Sequence, residues 1–587
     1  MERRVFIAII LSFLVLYAYQ ALFVRPTPPS AATKAAEASA AQTPGAASAS
    51  NGPAASAPGA SPAQAAVTTP EPEALVSETS QRDITVDTAT VQAVFTNRGG
   101  RLLHWRLKSY RDGRGQPVDL IPSDLPATEQ LPFTLRVDDE QATARLNNAL
   151  YRVSGDSGGH VDATRAAASV SFEYQDAAGL HVRKDFRFDP SNYIVSFSTT
   201  ATSGDRALNP TVVWGPGLGD IAPTATTSSF FNRSSVLPAE VILHRAGKVE
   251  RVAIAKIGET PMQDGQFRFA GVDDHYFMVA LVNPGQARFE YRALVIPGPA
   301  NTQRQLISQG VRFPQAPSNV RFFVGPKPFD LLKSIDGELV RAVNYGMFGW
   351  LAVPLLGGLK WIHGFAGNWG WSIILLTVLI NIAIFPLRHK SVVSMRRMQA
   401  LQPQLKAIQD RYANLKVTDP DRQKMNTEVM NLYREKGVNP ASGCIPILLT
   451  MPVLFAFYAL LGQSIELRGA DFGWWIHDLS LADPYYVLPI LVTITMVWQQ
   501  TFTPAGSMDP AQQKMMMFMP VMFGFIFLTT ASGTVLYWLI SNVWTIAQQY
   551  FTTWLIGPPA VQTMRPAAER QLKNAGGGRT AGAEKQS

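Results

Sequence analysis

Asn368-Trp369-Gly370-Trp371-Ser372-Ile373-Ile374-Leu375-Leu376-Thr377-Val378-Leu379-Ile380-Asn381-Ile382-Ala383-Ile384-Phe385-Pro386-Leu387-Arg388 decides what kind of protein this is. Residues 369–387 contain no charged side chain, and as a helix they would rise about 28 Å, close to the roughly 30 Å hydrocarbon core of a bilayer. Similar apolar stretches occupy 5–24, 444–461, 485–502, 515–530 and 535–556. Across all 587 residues only 16% are charged, against roughly 25% in soluble globular chains. The mean hydropathy of +0.03 therefore averages a polar part with very apolar ones. The single Cys444 excludes a disulfide framework, and the eight His show no HExxH pattern, so metal chemistry is disfavoured.

Charge sets the order of the membrane segments. Residues 388–437 hold eleven Lys/Arg against five acids, whereas 462–484 hold Arg468 against Glu466, Asp471, Asp478 and Asp483. Cytoplasmic loops carry the basic excess. The stretch 346–359 contains Pro354 and rises only about 21 Å, which suits an interfacial helix better than a span. Counted as interfacial, it leaves the basic loop inside. Six spans then place both termini in the cytoplasm: 5–24 as an uncleaved signal anchor, and five more within 368–556, the last two separated at Ala531-Ser532-Gly533. Residues 25–74 are an Ala/Pro/Ser tether too polar and small to fold, and 557–587 form a basic cytoplasmic tail.

Residues 75–328 read as short strands of period two, such as Val182/Lys184/Phe186/Phe188 and Tyr193/Val195/Phe197, broken by Gly, Pro, Asp and Asn. The expected fold class is thus a polytopic α-helical membrane protein with a large periplasmic antiparallel β-sandwich, an interfacial region at 329–367, and a cytoplasmic helical hairpin at 388–437. In that hairpin Met398, Leu401, Leu405, Ile408, Tyr412 and Leu415 repeat as an a/d seam. Thr418-Asp419-Pro420-Asp421 caps a second helix that runs to Gly437.

Polar residues inside a membrane helix hint at function. Thr377 and Asn381 share one helical face that continues through Phe385 to Arg388; Thr450, Gln499, Gln500, Tyr537, Ser541, Asn542, Gln548 and Gln549 are the partners available on other helices. Singly, such groups most often just bond between helices, at about 0.6 kcal/mol each; as a set they suit a wet cavity. His477-Asp478 has a dyad's composition but reads as helical neighbours that do not face each other, and Asp273-Asp274-His275 reads as a strand-end cluster. Gly215-Pro216-Gly217-Leu218-Gly219-Asp220 reads as a turn. No nucleophile, base and orienting group come together, so no catalytic, cofactor or metal site is expected.

The chain resembles the YidC membrane-protein insertase family in its Gram-negative form. The resemblance rests on Phe323-Val324-Gly325-Pro326-Lys327, Asn368-Trp369-Gly370-Trp371-Ser372-Ile373, Leu401-Gln402-Pro403, Val438-Asn439-Pro440, Gly443-Cys444 and Met451-Pro452. It continues through Trp475-Ile476-His477-Asp478-Leu479-Ser480, Asp483-Pro484-Tyr485-Tyr486, Phe518-Met519-Pro520, Leu536-Tyr537-Trp538 and Ser541-Asn542. It implies a nonenzymatic insertase and folding chaperone of the bacterial inner membrane. Such a protein moves hydrophobic segments of nascent membrane proteins from the cytoplasm into lipid through a hydrophilic groove, alone or with the Sec translocon. The ribosome, the signal recognition particle receptor and membrane lipids are the other partners it implies; nucleic acid is not a substrate and no cofactor is implied. Carried over by position, the groove residues are Thr377, Asn381, Arg388, Thr450, Tyr537 and Trp538. The family usually has Arg, less often Lys, where this chain has Asn381, and Gln where it has Thr450, so any fixed groove cation falls to Arg388, about 10 Å along the helix. A secondary transporter or channel with a periplasmic ligand-binding domain is the alternative, and a carbohydrate enzyme on a membrane anchor the third; the sequence shows neither the repeat symmetry of the one nor the acid/base pair of the other.

Overall fold

A computed structural model describes residues 72–126, 128–218, 238–297, 303–412, 421–437, 445–501 and 510–557. The expected signal anchor 5–24, the tether up to residue 71 and the tail from 558 lie outside the described residues. Residues 407–430 fall in a compact unit separate from that of 72–406 and 431 onward.

Two sheets build the β region. The larger has fourteen strands, with Ala168–Asp176, Leu180–Phe188, Ile194–Ser203, Val320–Pro326, Phe277–Pro297, Met262–Asp273 and Glu240–Arg245 side by side. The smaller has five, centred on Asp83–Thr88, Val91–Thr96 and Arg101–Arg111. They pack face to face through aromatic side chains: Phe95 of the small sheet lies 4.8 Å from Phe186 and 5.8 Å from Phe172 of the large one. The Trp105 indole donates across the layers to the Val324 carbonyl at 2.9 Å. Among the described strands the pairing is antiparallel apart from one pair: Asp83–Thr88 runs parallel to His160–Ala163, a crossover that short-range periodicity does not reveal.

Period two places Lys184 on the same inward face as Val182 and Phe186, and it is fully buried there. Its ammonium donates to the carbonyls of Gly99 at 2.6 Å and Phe133 at 2.7 Å, while burial holds its pKa well below the ordinary lysine value. Gly215-Pro216 is not in a turn: it ends the strand Thr211–Pro216, with Gly215 at φ 74° on a register shift opposite Gln309. A Cβ at Gly215 would lie 2.1 Å from the Gln130 carbonyl oxygen, so glycine is required.

Ten helices are described: α1 Glu140–Asn148, α2 Phe329–Ile335, α3 Gly349–Ala366, α4 Trp369–Ala400, α5 Gln402–Arg411, α6 Asp421–Glu435, α7 Ile445–Gln463, α8 Val487–Thr501, α9 Pro510–Phe527 and α10 Ser532–Ile556. Within α4, Trp369–Ser394 is the one described helix long and apolar enough to cross a membrane; Met451–Gln463, Val487–Gln500 and Met517–Phe527 are apolar but shorter. The expected 14-residue interfacial segment is an 18-residue helix, α3, that carries Pro354 inside it and ends on Gly367 at φ 66°. Lys360 on α3 pairs with Asp330 of α2 and Glu466, both at 2.8 Å. The a/d seam is not one helix: α4 continues from the membrane segment to Ala400, and the chain turns at Leu401 before α5 starts at Gln402 with Pro403 in its first turn. Arg411 and Glu428, 2.9 Å apart, join the two arms of the hairpin.

A charged knot joins the β region to the helices. Asp273 accepts from Arg251 at 3.0 and 3.1 Å and from Lys327 at 2.9 Å, and Arg251 also donates to the Ala342 carbonyl. Beside it His275 bonds to the carbonyl of Gly462 in the last turn of α7, and Arg468 lies over the Phe277 ring at 4.8 Å. Burial pushes the Asp274 carboxyl up to about 6, against the Phe277 and Tyr276 amides and Lys327 that pull it down. An aspartate raised in the folded state is still protonated there when the unfolded chain has ionised, so its favourable contribution holds below about pH 4 and is lost as pH rises through 6. Asp274→Asn can keep both amide bonds and cannot ionise. The stability of the variant relative to the parent should therefore rise by about 1–2 kcal/mol between pH 4 and pH 7, read as the shift in denaturant midpoint.

Candidate functional site

The site is a polar seam on α4 facing α10. Thr377 is fully buried and its hydroxyl donates to the Ile373 carbonyl at 2.6 Å; Asn381 is buried and its amide donates to the Thr377 carbonyl at 2.8 Å. Both side chains thus satisfy part of their polarity on their own helix. Arg388 stands two turns away, about 10 Å along the axis. Its guanidinium extends back along the helix to donate to the Asn381 side-chain carbonyl at 3.0 Å and to the Thr545 hydroxyl of α10 at 3.2 Å. A positive charge is therefore delivered beside residue 381 although residue 381 is neutral.

The seam continues beyond these residues. His389 and the Thr552 hydroxyl are 3.3 Å apart, and the Gln548 amide approaches the Phe385 carbonyl at 3.5 Å. On the other side of α10, Asn542 donates to the Thr495 hydroxyl of α8 at 3.3 Å. Tyr537 stacks on Phe457 of α7, with ring centres 4.3 Å apart and planes 19° from parallel, and its hydroxyl bonds to Ser541. Trp538 points elsewhere, packing on Phe523 and Phe527 of α9 at 5.9 and 5.2 Å. Thr450 belongs to α7, but its side chain lies outside the described residues. The structure thus brings Thr377, Asn381 and Arg388 together, sets Tyr537 in the same bundle, and turns Trp538 to the α9 contact.

One end of the bundle is covered by the loop between α7 and α8. The Ser532 and Gly533 amides at the start of α10 donate to Leu481 and Leu479 at 2.7 and 2.9 Å. Buried Asp483 accepts from the Trp475 indole at 3.1 Å and from the Tyr485 and Leu488 amides at 3.0 and 2.7 Å, capping α8. Gly370 matters here, because a Cβ on it would lie 2.0 Å from the Phe472 ring of this loop. Thr545 and Asp483 were not singled out from the sequence as site residues; the Asp-Pro preceding an apolar run was the available signal for the second, while nothing local marks the first.

The catalytic alternatives find no support in the geometry. His477 lies in a turn rather than a helix, and its ring nitrogen is 3.2 Å from Asp471, not paired with Asp478, both groups being exposed. Asp273-Asp274-His275 sits in the charged knot described above. Among the described residues no group of three or more His, Cys, Asp or Glu could hold a metal ion.

Known proteins agree with one another about this chain. Residues 83–357 match the family described as YidC periplasmic domain, and residues 361–556 match that described as 60Kd inner membrane protein. The Membrane protein insertase YidC of Geobacter metallireducens is 36% identical over 94% of this chain and 98% of its own length, and that of Citrifermentans bemidjiense 36% identical over 94% and 99%. A crystal structure described as an active YidC insertase with its first transmembrane domain resolved is 20% identical, covers 82% of this chain and 94% of its own, and superposes with a TM-score of 0.33. The 36% identity to those relatives along almost the whole of both chains, with the two family matches, is decisive: the chain belongs to the YidC membrane protein insertase family, in the long form in which a periplasmic β domain precedes the inner-membrane core.

Proposed function

We propose that the seam from Arg388 to Thr377 is the wall of a hydrophilic groove, open to the cytoplasm, that receives the polar flank of a nascent membrane protein. The observation that carries this reading is the Arg388 guanidinium held at 3.0 Å from Asn381, part-way into an apolar bundle. A half-buried cation lined by hydroxyls and amides shortens the apolar barrier that an acidic flank must cross. The hydrophobic segment beside that flank then leaves sideways into lipid by partitioning, with no covalent step. Met451, Phe455 and Tyr458 of α7 and Met517, Phe518 and Met522 of α9 are exposed and offer it apolar surface. The loop capping α8 and α10 supplies closure on the periplasmic side.

This reading takes 5–24, α4, α7, α8, α9 and α10 as six spans, α3 as an interfacial helix, and both termini as cytoplasmic. It takes nascent membrane proteins as substrates, with the Sec translocon as a partner for some of them and the ribosome and signal recognition particle receptor as sources of the chain.

Three outcomes test it. In a protein lacking Cys444, a cysteine at position 424 should be labelled only after the membrane is made permeable to a periplasmically added reagent, and one at 474 without it; the reverse would invert the groove. Arg388→Ala should lower insertion of acidic-tailed substrates about fivefold more than of matched neutral-tailed ones, since about 1 kcal/mol of attraction is lost. Adding Asn381→Arg to that variant should restore the selectivity; equal effects on both tails would remove the electrostatic role. Deleting 75–310 should leave at least about half of insertion while speeding amide exchange in 464–484, because the His275 and Arg468 contacts go with it. Complete loss of insertion by a protein still folded in the membrane would show that the β domain takes part in the transfer itself.

A further inference from the structure

Strand Glu240–Arg245 lies between Lys248–Ala253 and Met262–Asp273, and alternation puts Glu240, Ile242 and His244 on one face with Val249 and Arg251 of one neighbour and Phe269 and Asp273 of the other. The segment 336–345, which carries the chain from the β domain into α3, crosses this face as a strap. Leu339 and Ala342 of its 3-10 turn are fully buried in the β-domain core. Arg251 donates to the Ala342 carbonyl, and Arg341 of the strap donates to the Gly247 carbonyl at 3.1 Å.

His244, beneath the strap, is the unexplained member of this face. It is 1% exposed and packs on Phe269 with ring centres 5.1 Å apart, yet neither ring nitrogen has a hydrogen-bond partner. A neutral imidazole there leaves one donor and one acceptor unmet, which native interiors rarely tolerate. The Glu338 carboxylate of the strap stands 3.6 Å from Nε2, too far for a hydrogen bond, and the same oxygen is 2.9 Å from the Arg341 guanidinium. An imidazolium carries N–H on both nitrogens, so Nε2 then donates to that oxygen, and a charge-assisted bond needs the gap to close by under about 1 Å. Glu338 is half-buried, so a proton reaches the ring from its solvent side.

The surrounding charges are engaged elsewhere. Asp273 holds Arg251 and Lys327, and Glu240 lies 3.7 Å from Arg251. Arg245 pairs with Glu250 on the opposite face, to which Lys248 also belongs. On the strap, Asp336 accepts from Asn283 and from the Glu338 amide, with Arg268 and Arg321 acting on it. Glu338 is the carboxylate placed to answer His244.

We propose that His244 and Glu338 form a proton-operated clasp: protonation of the imidazole pairs it with the carboxylate and tightens the strap on the β domain, and loss of the proton leaves the strap to its Arg251 and Arg341 bonds. The strap runs into α3, whose Lys360 pairs with Glu466 of the loop that covers the bundle. The clasp therefore makes the β domain's hold on that loop depend on pH. It rests on neither the groove nor the topology proposed above.

Imidazole is the side-chain type that changes charge between about pH 5 and 8, so the test compares amide exchange of the full chain in detergent at about pH 5.5 and about pH 7.5, scaled for the intrinsic pH dependence of exchange. Residues 336–346 should exchange about fivefold more slowly at the lower pH, while 180–188 in the sheet core stay unchanged. His244→Phe, which keeps the ring contact with Phe269, and Glu338→Gln, which removes the charge, should each abolish the difference. Arg341→Met and Asp274→Asn should keep it. Should His244→Phe fail to accumulate, Glu338→Gln decides. No difference in the parent, or one that survives in His244→Phe or Glu338→Gln, would overturn the clasp; so would one lost in Asp274→Asn, which would move the proton-sensitive group to the charged knot.

Discussion

A bilayer interior has no water to satisfy a polar group, and that constraint shapes the helical half of this protein. Every hydroxyl and amide placed in α4 must find a partner within the chain. Thr377 and Asn381 use carbonyls one turn back on their own helix. That arrangement leaves the Asn381 oxygen free to accept, and Arg388 is the donor that comes to it. The cation needs this partner too: without Asn381 and Thr545 its guanidinium would be desolvated against apolar side chains. Neutral residue and displaced cation are thus two halves of one arrangement, each making the other tolerable.

The same logic extends through the capping loop to the β domain. Asp483 holds the start of α8, Ser532 and Gly533 hold the start of α10, and the loop that carries both contacts is itself held by Arg468 against Phe277, while the His275 bond to Gly462 holds the end of α7 that leads into it. Asp273 anchors that corner by satisfying Arg251 and Lys327 together. A buried carboxylate between two cations is costly to break, because removal leaves uncompensated charge. The β domain is therefore more than a tethered appendage in its geometry: it braces the loop that covers one end of the bundle.

What could be read from the sequence followed the range of the forces involved. Period two located strands such as Leu180–Phe188, since alternation is a local property, and it even implied that Lys184 faces inward. The apolar run at Trp369 located α4, and Ala531-Ser532-Gly533 marked the break before α10. Features set by contacts distant in sequence stayed hidden. The parallel pairing of Asp83–Thr88 with His160–Ala163 spans some seventy positions, and the Arg388 bond to Thr545 joins residues 157 apart. The a/d seam misled because heptad spacing survives a turn: Leu401 and Leu405 are both buried, yet α4 ends at Ala400 and α5 begins at Gln402, with Pro403 in its first turn, so Leu401 lies between two helices.

Placing the cation on Arg388 rather than on residue 381 changes what the groove proposed above would do. An Arg at 381 would have its backbone deep in the bundle and its charge confined there. A guanidinium that reaches back from 388 has its backbone at the end of the apolar segment, the cytoplasmic end in the proposed topology, and its long stem can swing between Asn381 and the headgroup level. The two positions differ by about 10 Å along the helix. In the proposed groove such a charge would meet an acidic flank near the cytoplasmic mouth and follow it inward, exchanging its bonds to Asn381 and Thr545 for the substrate carboxylate. The attraction then acts over the path of entry instead of at one depth, and the bonds given up on capture are re-formed on release, which keeps the charge from holding the flank permanently.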